Sequence, residues 1–148
     1  MTYQYATLRE KIAAEKAERA VRYEQFAEWL KEAHSAGMVA GIGAEVEPMV
    51  VQQHMNMLDA ASPVAKSYFV EGGVCGFAWI TVRPANSSFA LWAKKNSGDR
   101  WSKDYYGGLS LHVHEFGQSM QRKQAYAHAY VDVLCGHGIK AYAHSRMD

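Results

Sequence analysis

His112-Val113-His114 sets two imidazoles on one side of an extended segment, as some zinc sites require. His144 would be a third ligand if its own segment lies alongside. A catalytic zinc also needs an open fourth position and a general base. Glu115 is the acid at hand, but alternation turns it to the opposite face. The three histidines therefore lack a convincing fourth group, and neither a bound metal nor a cofactor is expected. Cys75 and Cys135 could each act with a histidine as a nucleophile pair. Both lie in apolar stretches, VCGF and VLCG, which blunt thiol reactivity and suit small core residues. Two cysteines are too few for a disulfide framework. The glycine-containing pieces GIG, GG and YYGG match neither a phosphate-binding loop nor a dinucleotide fingerprint and read as turns.

A different chemistry is carried by aromatic and basic residues. Residues 1–71 hold 7 Lys/Arg and 10 Asp/Glu, a net of −3. Residues 72–148 hold 9 and 5, a net of +4. A basic, aromatic second half points to an anionic partner. The candidate binding residues are Arg83, Lys94, Lys95, Arg100, Trp101, Lys103, Tyr105, Arg122, Lys123 and Arg146. Several flank Trp92, Trp101, Tyr105 and Tyr106, and the loop from residue 96 to 106 is polar, long and aromatic, the kind of segment that carries recognition. Arg122 and Lys123 could hold phosphate with the backbone amides that follow Ser119, although a solvated helix face is the competing expectation.

The elements that must position these residues follow from period and punctuation. Thr7-Leu-Arg-Glu10 fits a capping box. A helical stripe of Leu8, Ile12, Tyr23, Phe26, Leu30 and Ala33 follows, interrupted at Glu15 and Arg19, with Gly37 as its expected stop. Pro48 to Ala61 reads as a second helix whose three methionines fill the core, ended by Ser62-Pro63. Val74–Arg83 reads as a central strand, and Asn86 or Ser87 caps a short helix to Lys95, broken at residues 96–98. Leu109–Phe116 reads as a second strand, Ser119 caps a helix to Cys135, and Ile139–Arg146 is a third strand. The fold class is α+β: two N-terminal helices followed by a β-α-β-α-β unit with a small three-stranded sheet, all in one domain over 1–148. Such a unit usually means parallel neighbours with right-handed crossovers. The loop from 96 to 106 also permits an antiparallel second strand.

Alternation then sorts the strand faces. Phe77, Trp79, Thr81 and Arg83 share one face, as do Ser110, His112 and His114, and Lys140, Tyr142, His144 and Arg146. If helices cover the opposite, small apolar faces, this face presents aromatics for stacking and cations for phosphate. If the N-terminal helices cover it instead, Trp79 and Tyr142 are core. No RNP-type motif is present.

The stretches CGFAWITVRPANSSFALWAKK, YYGG, GQSMQRKQAYAHAY and GIKAYAHSRMD resemble a group of small uncharacterised proteins of bacteriophage genomes, over roughly residues 74–148. The resemblance implies a context rather than a mechanism: small phage proteins often bind host factors, nucleic acid or defence components. The expectation is therefore a small non-catalytic binding protein that modulates a host factor or a defence system, such as an anti-CRISPR or other anti-defence protein. The alternatives are a nucleic-acid or nucleotide binder using the basic aromatic half, and a metal-dependent hydrolase using the histidines. The N-terminal segment MTYQYATLREK has no apolar signal core, and no run approaches membrane-spanning length, so no membrane association and a cytoplasmic location in the host cell are expected. Homo-oligomerisation is left open.

Overall fold

A computed structural model describes residues 7–97 and 100–148. Gly98, part of the expected helix breaker, lies outside the described residues. The first helix, α1, spans Leu8–Ile42 and starts from the expected capping box. Thr7 Oγ1 accepts from the Glu10 amide at 3.3 Å, and Glu10 Oε2 accepts from the Thr7 amide at 2.9 Å. Residues 7–22 are exposed on every side of the helix. From Tyr23 onward its apolar stripe enters the core through Phe26, Leu30 and Ala33.

Gly37 does not stop this helix. A Cβ there would stand 2.6 Å from Tyr126 Cδ2, and one at Gly41 would overlap the Phe116 ring. These glycines serve close approach rather than termination. The helix ends at Gly43, whose N–H donates to Val39 O at 3.0 Å.

The expected second helix is instead an antiparallel hairpin. Its strands are β1 (Met49–His54) and β2 (Val64–Val70), with Val50 opposite Phe69 and Val51 opposite Tyr68. Both strands carry β-branched and aromatic residues, and pairing them outweighs the helical start that Pro48 suggests. The turn between them is built from side chains that satisfy backbone amides. Asn56 Oδ1 accepts from Leu58 N at 3.1 Å, and Asp59 Oδ1 accepts from Ala61 N at 2.9 Å. Met55 and Met57 project into solvent, so they do not fill the core.

The remaining elements are β3 (Gly76–Val82), α2 (Ser88–Asn96), β4 (Trp101–Lys103), β5 (Leu109–His112), α3 (Met120–Gly136) and β6 (Ala141–Met147). Ser87 and Ser119 cap α2 and α3, each accepting from an amide three residues on. The fold is α+β, as expected, but its main sheet has four strands rather than three, in the order β4-β5-β3-β6, and every pairing is antiparallel. The unexpected strand β4 forms a hairpin with β5, closed by Gly107 and Gly108 at φ of 99° and 89°. That hairpin reverses β5, which is why no parallel crossover forms. β3 is an inner strand, as expected.

α3 covers one face of this sheet, and α1 packs chiefly on α3 as an outer layer. The covered face carries Ala78, Ile80 and Val82 from β3, Leu109 and Leu111 from β5, and Ala141 from β6, all buried. Against them lie Tyr126, Ala127, Tyr130 and Leu134 of α3, with Phe26, Phe89 and Trp92 extending the core between helices. Cys75 is half-buried, while Cys135 is exposed on α3 rather than in the core. Among the described residues no helix is long and apolar enough to cross a membrane.

Candidate functional site

With the helices on one side, the opposite face of the four-stranded sheet is left uncovered. Its side chains fall into cross-strand rows. The central row is His112–Trp79–His144 across β5, β3 and β6. The Trp79 and His144 rings are stacked, with centroids 5.5 Å apart and planes 17° apart, and Trp79 meets His112 at 5.9 Å. The next row, Ser102–Ser110–Thr81–Tyr142, puts hydroxyls on the floor. Thr81 and Ser110 are buried there, and Thr81 Oγ1 bonds His144 Nε2 at 2.9 Å. On the other side of the central row Phe77 pairs with Arg146.

These rows form the floor of an open groove of about 760 Å³. The β4–β5 turn builds one wall from Lys103, Asp104, Tyr105 and Tyr106. Cations dominate it: Arg83, Lys103, Lys123 and Arg146 face it, against the single carboxylate of Asp104. Asp104 is already engaged by Arg83, at 4.0 Å. Arg83 also stands over the Tyr142 ring at 5.6 Å and donates from Nε to Gly107 O at 3.2 Å. The arrangement offers stacking surface, hydroxyl hydrogen bonds and positive charge, and its hydroxyl–imidazole contact, Thr81–His144, has its oxygen buried on the floor.

The structure gathers half of the candidate binding residues here: Arg83, Lys103, Tyr105, Lys123 and Arg146. The others go elsewhere. Trp101 is buried edge-on against Phe89, its indole N–H without a hydrogen-bond partner among the described residues. Lys94 and Lys95 occupy the last turn of α2, beside its carbonyl end, where cations are favourable. Arg100 lines a separate pocket of about 470 Å³ bounded by α1, α2, α3 and β5. Arg122 is a structural clamp: its Nη1 donates to Gly41 O and Ile42 O, each at 3.0 Å, capping the end of α1.

The three histidines line the groove, but β5 and β6 are not neighbours. Trp79 stands between His112 and His144, and β5 ends before His114. Among the described residues no three His, Cys, Asp or Glu side chains are grouped to hold a metal ion. Glu115, considered as a base, accepts from the His114 amide at 3.1 Å and faces the other pocket. Sequence reasoning placed Phe77 and Ser110 on this face without naming them as binding residues, and it missed Ser102 and Asp104. Ser102 and Asp104 depended on recognising β4, a strand of three residues.

No protein-family model, curated protein or solved structure matches this chain.

Proposed function

We propose that the protein is a non-catalytic binding protein whose open sheet face takes a segment of single-stranded nucleic acid. The observation that carries this reading is an uncovered aromatic row, centred on Trp79, inside a groove where four Lys/Arg face one already-paired carboxylate. Aromatic side chains on an open sheet stack bases without reading sequence, and cations beside them follow the backbone. The buried hydroxyls of Thr81 and Ser110 supply polar contacts on the floor.

The test is a fluorescence-anisotropy titration with short labelled DNA and RNA single strands at several salt concentrations. Each neutralised phosphate of a single strand contributes a slope of about −0.7 in log K against log salt, so three or four contacts give about −2 to −3. Trp79→Ala and Arg146→Glu should each weaken binding. Binding that is absent at low salt, or unchanged in both variants, refutes the reading.

A second reading has its own observation. The β1–β2 hairpin exposes Val50, Leu58 and Phe69, and Leu58 at its tip is 98% exposed. Exposed apolar side chains along one hairpin, here a cross-strand pair at its base and a leucine at its tip, are the kind of surface that protein contacts use. They support a protein contact, on which reading the chain modulates a host factor or a defence system as a small phage protein would. On this reading, replacing all three residues with serine abolishes activity in a phage-infection assay and leaves oligonucleotide binding untouched. Retained activity sinks it.

A further inference from the structure

We propose that Lys123 forms a phosphate subsite at one end of the groove, for a phosphate monoester such as the 5′-phosphate of a strand, an inference that rests on the nucleic-acid reading. Lys123 enters from α3 where β5 stops. Ala78 and Val113, which belong to the helix-covered side, also line the groove at that place. The residue as a whole is only 7% exposed. Among the described residues its ammonium makes neither a hydrogen bond nor an ion pair. Its one polar compensation is the Phe77 ring, 5.9 Å from Nζ to the centroid.

The stem is enclosed while Nζ keeps contact with the open groove, so the ammonium stands there without a counter-charge, at an enclosed position where apolar residues of similar volume usually serve stability better. An unpaired lysine held at the wall of an open groove fits a site whose counter-charge arrives with the ligand. Arg146 converges on the same ring, its guanidinium 6.0 Å from the Phe77 centroid. The nearest groove carboxylate, Asp104, belongs to the opposite end with Arg83. Arg83 lies six positions along from Phe77, a distance of about 20 Å in extended chain. Two cations with no acid between them match a monoester, which carries about −1.5 to −2 charges, better than the single charge of an internal phosphodiester. The Lys123 ammonium supplies a point charge and the Arg146 guanidinium a fork for two oxygens.

The experiment compares a 3′-labelled single strand with and without a 5′-phosphate, using wild type and Lys123→Met. Methionine keeps the apolar stem and removes the charge. Wild type should prefer the phosphorylated strand by about tenfold, the scale of one charged hydrogen bond. Lys123→Met should bind both strands alike, with a melting temperature equal to or above that of wild type. Equal affinity of wild type for the two strands, with Lys123→Met unchanged, overturns the subsite and leaves the nucleic-acid reading standing. If neither strand binds, inorganic phosphate and pyrophosphate are titrated by thermal shift. Stabilisation of wild type but not of Lys123→Met then keeps the subsite for a phosphate from another source and discards the nucleic-acid reading. No stabilisation discards both.

Discussion

The two faces of the four-stranded sheet carry different side chains, and the difference is sharpest on β3. From β3 and the residue after it, the face under α3 receives Gly76, Ala78, Ile80 and Val82, whereas the uncovered face receives Phe77, Trp79, Thr81 and Arg83. Small residues let the helix approach closely. A Cβ at Gly76 would stand 2.6 Å from Met120 Sδ, at the first turn of α3. Large rings ordinarily go inside. Here the rings of Phe77 and Trp79 stand on the side that the helices leave uncovered, Phe77 beside Lys123 and Arg146 and Trp79 between two imidazoles. One face is therefore built for packing and the other for contact, and substitutions on the two should act on different quantities.

The sharpest way to break that contrast is Ile80→Ala. Ile80 is fully buried, and removing its methylene and methyl groups leaves a cavity costing about 2–5 kcal/mol. Denaturant unfolding should show that loss, and oligonucleotide affinity should change only as far as the protein unfolds. Gly37→Ala extends the test to the α1–α3 contact. Overpacking against Tyr126 costs about 1–3 kcal/mol, partly offset by the roughly 1 kcal/mol that alanine gains over glycine in a helix. A stabilised Gly37→Ala protein would show that the two helices have room to spare.

Trp79→Ala reverses the pattern. Loss of its stacking on His144 costs about 1 kcal/mol of stability. Affinity for single strands should fall by about 1–3 kcal/mol if a base stacks there. A Trp79→Ala protein as destabilised as Ile80→Ala would erase the distinction between the faces. The smallest effect is expected from the double change Lys94→Glu and Lys95→Glu. These lysines lie on α2, outside the groove, so stability should change by about 0.5 kcal/mol or less and the affinity hardly at all. A large affinity loss there would shift the contact surface onto α2.

What could be read in advance was local. The capping box at Thr7, the serine caps at Ser87 and Ser119, and the alternation of β3 each depend on neighbours a few residues away. The α+β class follows from those elements, and so does the sharing of a strand face by Trp79 and Arg83. The hairpin was misread because its signal is not local. Val50 and Val51 become strand only through partners at Phe69 and Tyr68, and a proline at position 48 with methionines after it satisfies a helical pattern equally well.

The groove belongs to the same non-local class. Alternation sorts β3 into two sets of residues, but not which set meets helix. That choice depends on α3 packing onto Gly76, Ala78 and Ile80 and on α1 stacking onto α3 through Gly37 and Gly41. Identical local chemistry therefore divides by placement: Arg122 clamps the end of α1, while Lys123, its neighbour in sequence, reaches the groove. Adjacent helix positions point about 100° apart, so the chain alone places a basic pair near the start of α3. Only the packing of that helix between α1 and the sheet turns one of the two to structure and the other to the open face.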